Sequence, residues 1–208
     1  MLNKQLLLDT MDLFKEQPRH WNYYVEFCNL KKEIIDSWYG RLKAQILVEF
    51  KNDTDIKCIV DDGPCSFYWE LLSSIETPVN LWFEISPQEF PNEIWFSLYT
   101  GDSNILTTLV KMIQNSKFEK IQFAFGDSSL LLNYKGYLIV DKCQDVFEKL
   151  DLQTEQFSLD CFAWYAGNRT EIIVKELRKK VDKIKEVSTL LEELNQEAKK
   201  LMDVQNNL

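Results

Sequence analysis

Two segments decide the fold, VNLWFEI at Val79–Ile85 and EIWFSLY at Glu93–Tyr99. In the second, Ile94, Phe96 and Leu98 fall on one side, with Glu93, Trp95, Ser97 and Tyr99 on the other. That period of two belongs to a β-strand. In the first, Val79, Leu81, Phe83 and Ile85 oppose Asn80, Trp82 and Glu84. Ser66–Leu72 repeats the pattern, with Phe67, Trp69 and Leu71 against Tyr68, Glu70 and Leu72. If the three strands pair, their aliphatic sides form a core. The opposite face then presents Tyr68, Glu70, Trp82, Glu84, Glu93, Trp95 and Tyr99.

The charge around these strands is one-sided. From Asp53 to Asp102 there are ten acidic side chains and one basic one, Lys57, so the block has a charge of −9. The whole chain of 208 residues also sums to −9, so the remainder is neutral. Carboxylates beside Trp and Tyr rings suit an Arg or Lys side chain, because the ring faces and the acids both attract a cation. Whether this face is exposed or covered by a helix of the same chain is open at this stage, since wet Trp and Tyr are costly in a monomer.

Further strands are expected at Gln45–Lys51, Ile56–Val60, Lys120–Phe125, Leu130–Tyr134 and Tyr137–Asp141, the last two as a hairpin turning at Lys135-Gly136. Short connections imply antiparallel pairing. Helices are expected over residues 1–43 (two, separated by Pro18), 103–116 and Gln144–Leu150, whereas Phe157–Ala166 suits a buried strand or helix equally. The expected class is α+β: a mostly antiparallel sheet with N-terminal helices, a mid-chain helix and a long, coiled-coil-like C-terminal helix. The organisation is a globular 1–168 (helical 1–43, strand-rich and acidic 45–100, helix 103–116, strands and a short helix 120–166), followed by a helix over 169–208.

That last helix has Asn168-x-x-Glu171 at capping-box spacing. Its apolar stripe includes Leu177, Val181, Ile184, Leu191, Leu194 and Leu201, with a stammer at Ile184→Val187. Lys175–Lys185 is basic and Glu186–Glu197 acidic, a pattern complementary to itself in an antiparallel homodimer through 169–205. Packing within the chain, including Lys175–Lys185 laid across the acidic face, is the rival, and a foreign helix is a third possibility.

The chemistry of catalysis is sparse. There is one histidine, His20, and the five cysteines form no C-x-x-C pair. No phosphate-cradling glycine motif occurs, and neither a metal nor a cofactor is expected. Glu49-Phe50-Lys51, after Ile46-Leu47-Val48, resembles the E-x-K half of the PD-(D/E)XK nuclease superfamily. That resemblance implies a metal-dependent nuclease using Glu49 and Lys51, with Asp62 as the further acid. The acidic balance, pI about 4.8, disfavours direct binding of nucleic acid. No apolar run is long enough to span a membrane. The sequence therefore points to a cytoplasmic, non-enzymatic protein whose acidic, aromatic face binds a basic protein partner. A sharper expectation is a nucleic-acid mimic that inhibits a nuclease or a nucleic-acid-guided complex.

Overall fold

In the computed structural model, described throughout except at residues 1–3, 62, 64, 73–77, 86–92, 116, 152–157 and 207–208, the chain divides into two units, Met1–Ser37 and Trp38–Leu208. The first holds α1 (Lys4–Glu16) and the start of α2 (Pro18–Phe50). Its ring contacts run from Phe14 to Trp21 at 5.3 Å and to Tyr24 at 5.2 Å.

The second unit begins within α2 and is an α+β fold. Six strands, β1 (Ile56–Val60), β2 (Ser66–Leu71), β3 (Val79–Ile85), β4 (Ile94–Thr100), β5 (Leu130–Tyr134) and β6 (Tyr137–Asp141), form one sheet in the order β1-β2-β3-β4-β6-β5. Every neighbour is antiparallel. The β5–β6 hairpin turns at Lys135 and Gly136, both with positive φ (47° and 92°), as a two-residue hairpin turn demands. Glycine is required at 136 for a second reason: a Cβ there would stand 2.4 Å from the Tyr99 ring and 2.5 Å from the Thr100 carbonyl.

The helices of this unit are α3 (Ser103–Ile113), α4 (Glu119–Phe125), α5 (Gln144–Lys149), α6 (Leu159–Asn168), α7 (Thr170–Lys185) and α8 (Ser188–Asn206). Asp102 caps α3 by accepting from the Asn104 N–H at 2.8 Å, as its position before an apolar helical run predicts. The traced contacts from helix to sheet fall on the Phe67, Trp69, Phe96 side. Phe50 of α2 meets Trp69, Phe125 of α4 meets Phe96, and Lys180 of α7 bonds Asp141. The core therefore lies between this side and the helices.

Two expected strands are corrected and one open segment is resolved. Gln45–Lys51 is no strand; α2 runs on to Phe50, because Leu42, Ile46 and Phe50 are buried at i+4 intervals while Val48 is 73% exposed. Lys120–Phe125 is likewise helical, since Ile121 and Phe125 are buried one turn apart and Phe123 faces solvent. The ambiguous Phe157–Ala166 resolves as helix from Leu159, capped by Ser158 accepting from the Cys161 N–H at 3.1 Å; Phe157 lies outside the described residues.

The C-terminal helix is two helices, parted at Glu186-Val187, where the stammer falls. The capping box at its start does not form. Asn168 ends α6 and donates to the Trp164 carbonyl at 2.9 Å, while Thr170 turns its hydroxyl back to the Ala166 carbonyl. Both α7 and α8 belong to the same compact unit as the sheet, with α7 against α4, α5 and α6, and α8 against α3 and β3.

Candidate interaction face

The sheet's other side carries a continuous run of rings crossing four strands. Tyr68 on β2 stacks on Trp82 of β3, centroids 5.6 Å apart and planes 14° from parallel. Trp82 meets Tyr99 of β4 at 5.5 Å, and Tyr99 meets Tyr137 of β6 at 5.5 Å. Tyr137 in turn takes Trp95 edge-on at 5.4 Å. The pairing register explains the run: Tyr68 stands opposite Trp82, and Tyr99 opposite Tyr137. Offset and edge-on ring pairs add about 0.5–1.5 kcal/mol each beyond burial, so the run stiffens the face.

Burial is graded along it. Trp95, Tyr137 and Val140 form a buried cluster with Leu132 and Tyr99 packed beside it. Tyr68, Trp82 and Tyr99 are half-buried, and Leu130 and Tyr134 at the β5 edge are about half exposed, at 51% and 48%. Alternation thus brings all seven face residues expected from the sequence to one side. Tyr137 and Lys142 belong to the same surface but were not foreseen, since nothing local in β6 shows that it inserts beside β4.

The acids are not bare. Glu84 accepts the Tyr137 hydroxyl proton, and Glu93 accepts from the Trp95 indole N–H at 2.7 Å and from Lys142 at 2.8 Å. Glu70 lies in register with Lys57 of β1. Burial, then the neighbouring Glu70 and Asp61, raise the Tyr68 phenol above its ordinary range. The face is therefore aromatic at its centre and only moderately acidic at its rim.

The basic run of α7 is engaged elsewhere. Lys185 reaches Asp53 at 2.9 Å and Asp55 at 3.0 Å, and Arg178 reaches Asp53 at 3.0 Å while lying 4.9 Å over the Phe50 ring. Burial opposes the Asp53 charge, but the Lys185 hydrogen bond and the Arg178 charge hold its carboxyl below the usual range. Lys180, with its side chain buried, bonds Asp141 and reaches Asp145 at 3.0 Å. Burial works against that ammonium, yet the neighbouring Cys143 and the two carboxylates keep its pKa above the ordinary lysine range. A cavity of about 480 Å³ opens beside this pair, lined also by Gly126, Asp127, Ser128 and Lys183. Ser128 donates to the other Asp141 oxygen at 3.0 Å, so both oxygens of the carboxylate are engaged.

The remaining expected site residues are scattered. Glu49 sits near the end of α2, 3.9 Å from Arg178, and Lys51 follows that helix, so the strand end implied by the nuclease resemblance is replaced by a helix end. Asp62 lies outside the described residues. Leu177, Val181, Ile184, Leu191 and Leu194 are buried within their own unit, and Leu201 is half-buried. A seam for a second chain would have to draw them out of that core. Among the described residues, no group of three His, Cys, Asp or Glu is placed to hold a metal ion, and no helix is long and apolar enough to cross a membrane. No protein-family model matches this chain, and neither does any curated protein or solved structure.

Proposed function

We propose that this chain is a non-enzymatic interaction protein whose ring-bearing sheet face receives an extended basic segment of a protein partner. The observation behind this reading is that the helix contacts reach the Phe67, Trp69, Phe96 side of the sheet, while the opposite side carries the run Tyr68–Trp82–Tyr99–Tyr137, half-buried at its first three rings and buried at Tyr137. Half-buried aromatic rings are the usual anchors of protein recognition, since they offer large area at low entropic cost. A guanidinium laid on such a ring gains about 0.5–2 kcal/mol, and the rim acids Glu70 and Glu93 favour a cation over an anion. With its charges partly answered by Lys57 and Lys142, the rim supplies selectivity and the rings supply affinity.

The test is fluorescence anisotropy of a labelled short peptide of alternating arginine and valine, with alternating glutamate and valine as control. The basic peptide binds at low salt and loses affinity as salt rises. Trp82→Ala weakens it by about tenfold or more, and Glu70→Lys by several-fold. Failure of the basic peptide to bind, or binding indifferent to both substitutions, rules the proposal out.

A further inference from the structure

Among the described residues of Met1–Ser37 not one is buried, and nine large apolar side chains between Leu8 and Leu30 are 38–65% exposed. Taking roughly 200 Å² for each, that is on the order of 900 Å² of uncovered apolar surface. That area is spread over both helices rather than gathered in one patch; one side of a stable interface buries about 800 Å². A helical pair of fewer than about 40 residues also lacks the core to hold itself together.

The exposed residues are ordered. Trp21 and Tyr24 of α2 turn toward Phe14 of α1. About a third of a turn round α2 from that pair, Tyr23, Phe27, Leu30 and Ile34 step by four, three and four, the spacing of a heptad seam. Tyr23 is 65% and Phe27 60% exposed. Along one flank of this seam lie Glu26 and Glu33; along the other lies Lys31. Two such helices in parallel set each acidic flank against a basic one, Glu26 toward Lys31 of the other copy. Antiparallel pairing would set acid against acid. A membrane surface fits less well. Residues 4–36 carry six acids against five Lys and Arg, so they offer anionic lipid no net positive charge.

We propose that residues 4–37 are a self-association module, in which the Tyr23–Phe27–Leu30–Ile34 seam of α2 pairs in parallel with the same seam of a second copy of this chain. The pairing is isologous, so each Glu26–Lys31 contact occurs twice. It is independent of the sheet face and stands or falls separately from the partner reading.

Sedimentation equilibrium of the full chain tests it. The intact protein sediments as a dimer, and Phe27→Glu with Leu30→Glu weakens association by about a hundredfold or more while the near-ultraviolet circular dichroism of the second unit is kept. Glu26→Lys alone weakens the dimer by several-fold, and adding Lys31→Glu restores it. A wild-type monomer at every accessible concentration overturns the proposal, as does a dimer indifferent to Phe27→Glu with Leu30→Glu. A monomer that binds phosphatidylcholine–phosphatidylserine vesicles through these same residues overturns it in favour of a membrane. Failure of Lys31→Glu to rescue Glu26→Lys overturns the parallel arrangement.

Discussion

Lys180 crosses from α7 to the carboxylate of Asp141 at the end of β6, and both side chains are almost wholly out of water. Lys180→Met strands the Asp141 carboxylate in the interior, and Asp141→Asn leaves the Lys180 ammonium only the half-exposed Asp145. Asp141→Asn or Lys180→Met alone is therefore expected to cost about 3–5 kcal/mol in urea unfolding. The double substitution Asp141→Asn with Lys180→Met recovers much of the loss, because no orphan charge is left.

Gly167 of α6 faces Trp38, and a Cβ at that position would lie 2.1 Å from the indole Cδ1. Gly167→Ala must push the ring or the helix aside. An overpacking cost of about 1–3 kcal/mol is expected, in spite of alanine's better helix propensity. Thermal unfolding monitored by circular dichroism measures it.

The Asp53 cluster makes stability depend on pH at both extremes. Because the folded-state pKa of Asp53 lies below its ordinary 3.8, its contribution is complete above that value and is lost as the pH falls further. Lys185 is displaced the opposite way, above 10.5, so its contribution holds below that pH and fades as the pH rises through the folded value. Asp53→Asn should flatten the acid limb of a stability-versus-pH curve and lower the plateau at neutral pH.

Thiol reactivity reports the packing directly. Burial pushes the Cys58 thiol up to about 12, and Cys65 and Cys143 are raised as well, chiefly by burial. Cys28 is exposed. With an aromatic disulfide reagent at mildly alkaline pH, Cys28 reacts in the native protein, while Cys65 and Cys143 react only after denaturation.

Leu194 lies at the heart of the α8 contact with the rest of its unit, with no exposure. Leu194→Ala is expected to cost about 2–5 kcal/mol in stability, with no change in the mass seen by light scattering. A drop in mass would place this leucine between chains.

The sheet was legible because alternation is a local signal. Ser66–Leu71, Val79–Ile85 and Ile94–Thr100 each announce the side that faces the helices, and Lys135-Gly136 announces its turn. Where the reading failed, two periods competed over a short window. In Lys120–Phe125, Ile121, Phe123 and Phe125 alternate like a strand, yet Ile121 and Phe125 are also one helical turn apart, and packing against α7 chose the helix. Gln45–Lys51 went the same way because α2 was already formed and only had to continue. The seven face residues were foreseen, but their chemistry was not. Tyr137 and Lys142, more than forty residues distant in sequence, take up the carboxylates of Glu84 and Glu93. No local pattern encodes that meeting.

The strand order also sets a sequence of events for the chain as it folds. The pairings β1–β2, β2–β3 and β3–β4 join consecutive strands, whereas β4–β6 must close over α3, α4 and β5 and accommodates a bulge at Leu98/Tyr99. Closing the longer loop costs more entropy before any contact repays it, so the meander is expected to zip first and the β5–β6 hairpin to dock last. Tyr137 arrives with that hairpin. A nascent chain would thus hold Tyr68, Trp82 and Tyr99 in place before their last neighbour, and the run of rings would be complete only at the final docking.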